Sequence, residues 1–353
     1  MPDHAADPQE EIRARQTFFA ESIVDTLYRL EPEQWERYGE EGLRQSVRDA
    51  EYHLSFLAEA IRCEDPTLFS HYIAWVRSLF NGLSLPENAL VSTLDCTREV
   101  LQRELSSKAA IQTSQYIDEA LHYLNEAPLQ PPSHMAEDGP LTKLAERFLN
   151  LLLETRLGEA RALILQAVEE GVGVDDIYLE IFQRSQREIG RLWQLNRISV
   201  AQEHYCTAAT QLIMAQLYPY IFGTEKTGKR LVAACAGGEL HELGVRMVAD
   251  MFEMSGWDTY YLGANVPARS IDLALAEYEA QVLALSMTMT FHLKNLMEII
   301  STVRSGEYRD VKILVGGYPF NISPHLWKKV EADGYARDAR EAIRVADTLL
   351  REE

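Results

Sequence analysis

The sequence predicts a multidomain protein with α and α/β parts: an all-helical N-terminal domain, a four-helix bundle, and a Rossmann-like (flavodoxin-like) domain built on a parallel sheet. Three observations predict it. Apolar residues recur at three- and four-residue spacing from 8 to 126 and again from 141 to 221, as on one face of a helix. A Pro-rich break and a polar, Gly-bounded break interrupt that pattern. Beyond the second break, short apolar runs alternate with amphipathic segments of helical length, the pattern of parallel strands covered on both faces.

Residues 1–126 form the first domain. Phe18, Ile23, Leu27 and Leu30 mark one helix face, and Leu54, Leu57 and Ile61 another. Asp65-Pro66 and Leu85-Pro86-Glu87 read as helix starts, with Pro at the first helical position and acids near the positive end of the dipole. About five helices are expected from this periodicity. Residues 127–140, from Ala127-Pro128 through Pro131-Pro132 to Gly139-Pro140, read as a connector.

The bundle spans 141–222, with helices expected over 141–155, 157–169, 174–192 and 199–218 and glycines 158, 171 and 173 at the joints. The last domain spans 223–353. Strands are expected over 231–236, 259–262, 282–285 and 311–315, and helices over 240–254, 268–279, 292–305 and 338–350. Ligands of such sheets bind at the carboxyl ends of the strands.

With 54 acidic and 34 basic residues the chain carries a formal charge of -20, which excludes direct nucleic-acid binding through a broad basic face. No apolar run is long enough to span a bilayer, so no membrane association is expected. The start, Met1-Pro2-Asp3-His4, lacks the basic and apolar regions of a signal peptide, and the chain reads as cytoplasmic. Cys63, Cys96, Cys206 and Cys235 form no CxxC pair and read as buried free thiols.

The residues that carry chemistry follow the first strand of the sheet. Ala236-Gly237-Gly238-Glu239-Leu240-His241-Glu242-Leu243-Gly244 places a histidine on a strand-to-helix loop, with a carboxylate two residues before it and a glycine three after. One imidazole nitrogen can coordinate a metal while the carboxylate orients the other, and Gly244 lets a large planar ligand approach the backbone. Alone, His241 reads equally as a helix-start histidine of an ordinary flavodoxin-like sheet. Its context is Ser286-Met287-Thr288 at the end of the third strand and Gly316-Gly317 at the end of the fourth.

That arrangement resembles the cobalamin-binding domain of methionine synthase, methylmalonyl-CoA mutase and the B12 photoreceptors. The resemblance implies that His241 is the lower axial cobalt ligand. It also implies a nucleotide tail running into a channel lined by Ser286, Thr288, Gly316 and Gly317. Gly263-Ala264-Asn265-Val266-Pro267 is similar to the family's loop after the second strand. Glu239 stands where most members have Asp, a form that the light-sensing branch tends to use. In the bundle, Trp193 followed after nine residues by Glu203-His204 resembles the adenosyl-pocket signature of the CarH-like photoreceptors. There the tryptophan caps the 5'-deoxyadenosyl group and Glu and His contact it. Gln194 replaces the histidine that becomes the upper cobalt ligand in the best-known branch, and an amide is a poor cobalt ligand.

The N-terminal domain is not a basic winged-helix reader of DNA. Its segment from Asp49 through Tyr52, His53, Phe56 and Leu57, with Asp65-Pro66, Phe69, His71, Tyr72 and Trp75, resembles the helical domain of photocobilins, which also hold biliverdin. Asp49 and His53 lie one turn apart and suit pyrrole nitrogens or a propionate, while Tyr52, Phe56, Tyr72 and Trp75 offer flat surfaces. The same residues fit a core histidine in an aromatic helix core. Haem on His53 or His71 is a further alternative, and Cys63 or Cys96 could in principle attach a bilin.

Together these resemblances imply a light sensor. Adenosylcobalamin would be held through His241, its photolysis would shift the bundle, and a homo-oligomeric state would change with light, with output through an unidentified protein partner. The alternatives are a corrinoid methyl-transfer shuttle and a cobalamin-responsive antirepressor. No catalytic constellation is visible, and the chain is not expected to be an enzyme.

Overall fold

The computed structural model describes residues 7–136 and 138–351, and the reading of Met1 to His4 falls outside them. The chain divides into two compact units, Met1–Gln130 and Pro131–Glu353.

The first unit is helical: α1 (Pro8–Ala14), α2 (Gln16–Leu30), α3 (Pro32–Trp35), α4 (Gly39–Arg62), α5 (Pro66–Gly82), α6 (Ala89–Glu104) and α7 (Ser107–Glu126). Asp65 caps α5 as expected, its carboxylate accepting the Thr67 amide at 3.0 Å with Pro66 next to it. The second expected start is displaced. Pro86 lies in a turn whose carbonyl accepts the Ala89 amide at 2.9 Å, and α6 begins there. In α2 the buried stripe is Phe19, Ile23, Val24 and Leu27, so Phe18 and Leu30, expected on the core face, are exposed at 43% and 63%.

The second unit opens with the bundle: α8 (Thr142–Leu153), α9 (Leu157–Glu169), α10 (Val174–Asp176), α11 (Arg184–Gln194), α12 (Val200–Met214) and α13 (Tyr218–Ile221). The third expected helix is real but not uniform, because Ile177–Gln183 is a π-helical segment between α10 and α11. The inserted width re-aims the helix face, a device that periodicity alone does not reveal. Helix α12 begins with a capping box between Ser199 and Gln202.

The sheet follows: β1 (Arg230–Cys235), α14 (Leu243–Met254), β2 (Asp258–Gly263), α15 (Ala268–Tyr278), β3 (Val282–Ser286), α16 (Leu293–Ser305), β4 (Lys312–Gly316), α17 (Tyr318–Ile322), α18 (Leu326–Lys329), β5 (Gly334–Ala336) and α19 (Ala339–Leu349). Its order is β2-β1-β3-β4-β5, every pair parallel. The β5 edge strand is short and was not anticipated. Met247 and Met251 of α14 and Ala339 of α19 enter the bundle core beside Tyr178, Phe182 and Met214, so bundle and sheet share packing. Among the described residues no helix is long and apolar enough to cross a membrane.

Candidate functional site

The loop after β1 is built around a buried carboxylate. Glu239 is fully buried. Its Oε1 accepts the Leu240 and His241 amides at 3.0 Å and pairs with His241 Nδ1. Its Oε2 accepts the amides of Thr288 and Met289, at 2.7 and 2.9 Å, from the end of β3. Burial opposes the charge, but the His241 ring and amide and the Met289 amide outweigh it and hold the carboxyl at about 2. The hydrogen bond to Glu239 raises His241 against the opposing effect of burial, with the Glu239 and Glu203 charges adding to it. The imidazole is thus oriented through Nδ1 on a side chain 59% exposed, which leaves Nε2 for a metal.

Two asparagines clamp the glycines of this loop. Asn265, at φ +52°, accepts the Gly238 amide at 2.8 Å, and Asn295 Nδ2 donates to the Gly237 carbonyl at 2.6 Å. A Cβ at Gly238, where φ is +84°, would stand 2.8 Å from the His292 ring. Gly316 pairs with Ser286, which pairs with Cys235, so the small residues sit side by side at the strand ends. At Gly317, with φ +107°, a Cβ would fall on the Met287 carbonyl. Gly244 differs: a Cβ there would meet nothing within 4 Å.

Among the described residues no cluster of three or more His, Cys, Asp or Glu is arranged to hold a metal ion. The cobalt of a corrin brings its equatorial nitrogens with it and asks the protein for one further donor. The donor set and the open ground at Gly244 fit such a group.

From the bundle, Trp193 is half-buried near the end of α11, and Gln194 beside it is buried at 6% exposure. On α12, Glu203 is half-buried and near enough for its charge to raise His241, whereas the His204 side chain is 75% exposed, its Nδ1 3.3 Å from Glu203. Glu203 also accepts the Thr207 hydroxyl at 3.3 Å. The sequence reading missed Glu242, whose carboxylate bridges three elements, and Asn295 and His292 beneath the loop. The only hint was that Glu242 adjoins His241.

In the first unit, His53 is 4% exposed, its Nδ1 2.8 Å from the Tyr72 hydroxyl. Burial pushes it down to about 4, so the ring is neutral. Asp49 accepts Gln45 at 2.8 Å, and burial raises its carboxyl. Tyr72 lies flat on Phe56, centroids 3.5 Å apart, and faces Trp75 at 6.5 Å, while Tyr52 is 40% exposed. His71 stacks on Tyr123 at 4.9 Å. All four cysteines are buried, as expected, and burial pushes the Cys96 thiol up to about 11.

Fold and site together define a cobalamin-binding protein. Models described as "B12 binding domain" match residues 229–344 and, for a second such domain, 144–218; a model described as "Phycobilisome protein" matches 10–124. Dimethylamine corrinoid protein 3 of Methanosarcina acetivorans is 26% identical over 53% of this chain and 89% of its own length. Dimethylamine corrinoid protein 3 of Methanosarcina mazei is 31% identical over 34% of this chain and 71% of its own. The chain belongs to the corrinoid protein family. The solved structure of the Methanosarcina barkeri monomethylamine corrinoid protein shares the fold, with a TM-score of 0.53 at 20% identity, covering 60% of this chain and all of that one.

These relatives overturn the assignment to the CarH-like photoreceptors and photocobilins, and with it the light-sensor reading and the light-dependent oligomer; they match the shuttle alternative. The physical reason lies in what the motifs constrain. The pattern of Glu239, His241 and the strand-end small residues resembles cobalamin-binding domains in general and does not distinguish the group that the cofactor carries. In the bundle, Glu203 accepts the Thr207 hydroxyl at 3.3 Å and the His204 side chain is 75% exposed.

Proposed function

We propose that the chain is a corrinoid carrier in methyl transfer, working with a partner methyltransferase. The observation that carries this reading is the likeness to the methylamine corrinoid proteins, with the Glu239–His241 pair offering a place for the cofactor. Cobalamin, when bound, would supply a cobalt able to carry a methyl group. His241 Nε2 would hold the cobalt, with Glu239 keeping the proton on Nδ1 and fixing the ring plane. Gly244 would give the macrocycle room against the loop, and Ser286, Thr288, Gly316 and Gly317 would receive the nucleotide tail. Trp193, Glu203 and His204 of the bundle would enclose the group that the cofactor carries.

In this reading 223–353 binds cobalamin, 141–222 covers it, 127–140 links, and 1–126 is an added domain. The test is the absorption spectrum of protein loaded with hydroxocobalamin. A base-off spectrum with histidine bound, lost in His241→Ala, is expected; after the bound cofactor is reduced to cobalt(I) with titanium(III) citrate, a methylamine methyltransferase supplied with methylamine is expected to methylate it. Retention of the free cofactor's own base, or no methyl uptake with any methylamine, would sink the reading.

For residues 10–124, the match to the phycobilisome protein model favours a linear tetrapyrrole such as biliverdin as a second cofactor, on the faces of Tyr72 and Trp75 near Asp49 and His53. Its check is a far-red absorption band in protein made with biliverdin supplied. A spectrum with cobalamin bands alone would remove it.

A further inference from the structure

Glu242 makes more contacts than a helix-start acid needs. It directly follows His241, and its carboxylate gathers donors from three elements. Oε1 accepts Gln211 Nε2 of α12 at 3.2 Å. Oε2 accepts the Tyr261 hydroxyl of β2 at 2.9 Å and the Ala264 amide just beyond β2 at 3.1 Å. Gly263 makes room: at φ +85°, a Cβ there would stand 3.3 Å from Oε2.

Gln211 is not an arbitrary bundle residue. Glu203, Thr207 and Gln211 follow one another at four-residue spacing, one stripe along α12. Thr207, in the middle of that stripe, is bonded to both Glu203 and Gln186 of α11, at 3.3 and 3.1 Å. The Gln211 end is bonded to the residue next to His241. The stripe is thus tied to α11 in its middle and to the cobalt-ligand loop at its Gln211 end.

We propose that Glu242 is a positioning residue for the cobalt ligand, using the Gln211 bond to hold the His241 loop in register with the bundle helix that covers it. Tyr261 and Ala264 fix one carboxylate oxygen to the sheet, and the other reports the place of α12. Cutting the bridge frees the loop on the bundle side while leaving Glu239 and its four backbone donors intact. The inference rests on His241 being the lower ligand.

The experiment uses full-length protein loaded with cobalamin and reduced to the cobalt(II) state. Electron paramagnetic resonance there shows an imidazole nitrogen bound to cobalt by its superhyperfine splitting. For Glu242→Ala and for Gln211→Leu the ratio of His-on to His-off protein is expected to fall by about tenfold, the range typical of outer-shell partners of a metal-bound histidine. The double variant is expected to fall no further than Glu242→Ala. Glu242→Gln restores the wild-type ratio, because its amide can still accept from Tyr261 and Ala264 and pair with a flipped Gln211 amide. Wild-type ratios in both Glu242→Ala and Gln211→Leu would overturn the inference alone. A wild type indistinguishable from His241→Ala would overturn the ligand assignment and the inference with it. Gln211→Leu, on the bundle surface of the contact, keeps the test decisive if Glu242→Ala fails to fold.

Discussion

Tyr178 donates its hydroxyl proton to Asp250 Oδ2 at 2.8 Å, joining the bundle to the first helix of the sheet domain. Tyr178 stands in the π-helical segment and is fully buried; Asp250 on α14 is 8% exposed. Close by, Arg246 donates to the Tyr218 hydroxyl at 2.9 Å. The contact holds the two parts together at the cost of burying a carboxylate, and burial pushes Asp250 up to about 6 despite the hydrogen bond from Tyr178.

The sign of its pH dependence follows. A folded-state pKa above the unfolded value means that the native state binds the extra proton, so the penalty is present above pH 6 and is relieved as pH falls towards 4. At neutral pH it amounts to at most about 3 kcal/mol. Asp250→Asn is expected to raise the thermal midpoint at pH 7.5 and to leave it unchanged near pH 4.5. Equal shifts at both pH values would refute the assignment. Tyr178→Phe removes the carboxylate's donor and is expected to lower stability by about 1–3 kcal/mol at pH 7.5.

Glu239 has the opposite sign. Held at about 2, it contributes stability that is complete above the ordinary carboxylate range and is lost as pH falls from about 4.5 towards 2. Glu239→Gln keeps an oxygen for the Thr288 and Met289 amides but turns an amide nitrogen toward donors it cannot accept. Cobalamin retention, measured by equilibrium dialysis, is expected to weaken about 10- to 100-fold. The acid limb of the unfolding curve should also flatten. Unchanged retention would mean that Glu239 only braces the loop.

Much of the sheet was legible in the sequence because strands buried on both faces are continuous apolar runs; 282–285 differs from the observed Val282–Ser286 by one residue. The β5 strand, Gly334–Ala336, was not, since three residues carry no pattern. The π segment Ile177–Gln183 was hidden because an inserted residue shifts the phase of a helical stripe without breaking it. At the site, His241 and Glu239 could be read because they are two residues apart. Glu242 could not, because its partners Gln211 and Tyr261 come together only in the fold. The choice between light sensing and methyl transfer was not legible, because the pattern around His241 resembles cobalamin-binding domains in general and is silent on the group that the cofactor carries.

In the first unit, His53 is neutral because burial pushes it down to about 4. The native state then binds fewer protons than the unfolded chain, so its contribution is full above about pH 6.5 and lost as pH falls towards 4. Amide exchange in α4 and α5 is expected to accelerate between pH 7 and pH 5 after correction for intrinsic rates. His53→Gln should flatten that dependence. Persistence of the full acid response in the variant would assign it to another group.

The two glycines Gly317 and Gly244 separate fold from function. At Gly317 a side chain meets the Met287 carbonyl from a left-handed backbone, so Gly317→Ala is expected to destabilise by more than about 1 kcal/mol and to weaken cobalamin binding as a consequence. At Gly244, inside α14, a methyl group meets nothing within 4 Å, and replacing glycine in a helix gains about 0.5 kcal/mol. Gly244→Ala should therefore raise the thermal midpoint of the cofactor-free protein while weakening cobalamin retention, because the added methyl occupies ground assigned to the macrocycle. Stability and binding then move in opposite directions at Gly244 and together at Gly317. Paired thermal melts and dialysis on the two variants check this, and a Gly244→Ala protein that binds cobalamin as tightly as wild type would place the macrocycle elsewhere on the loop.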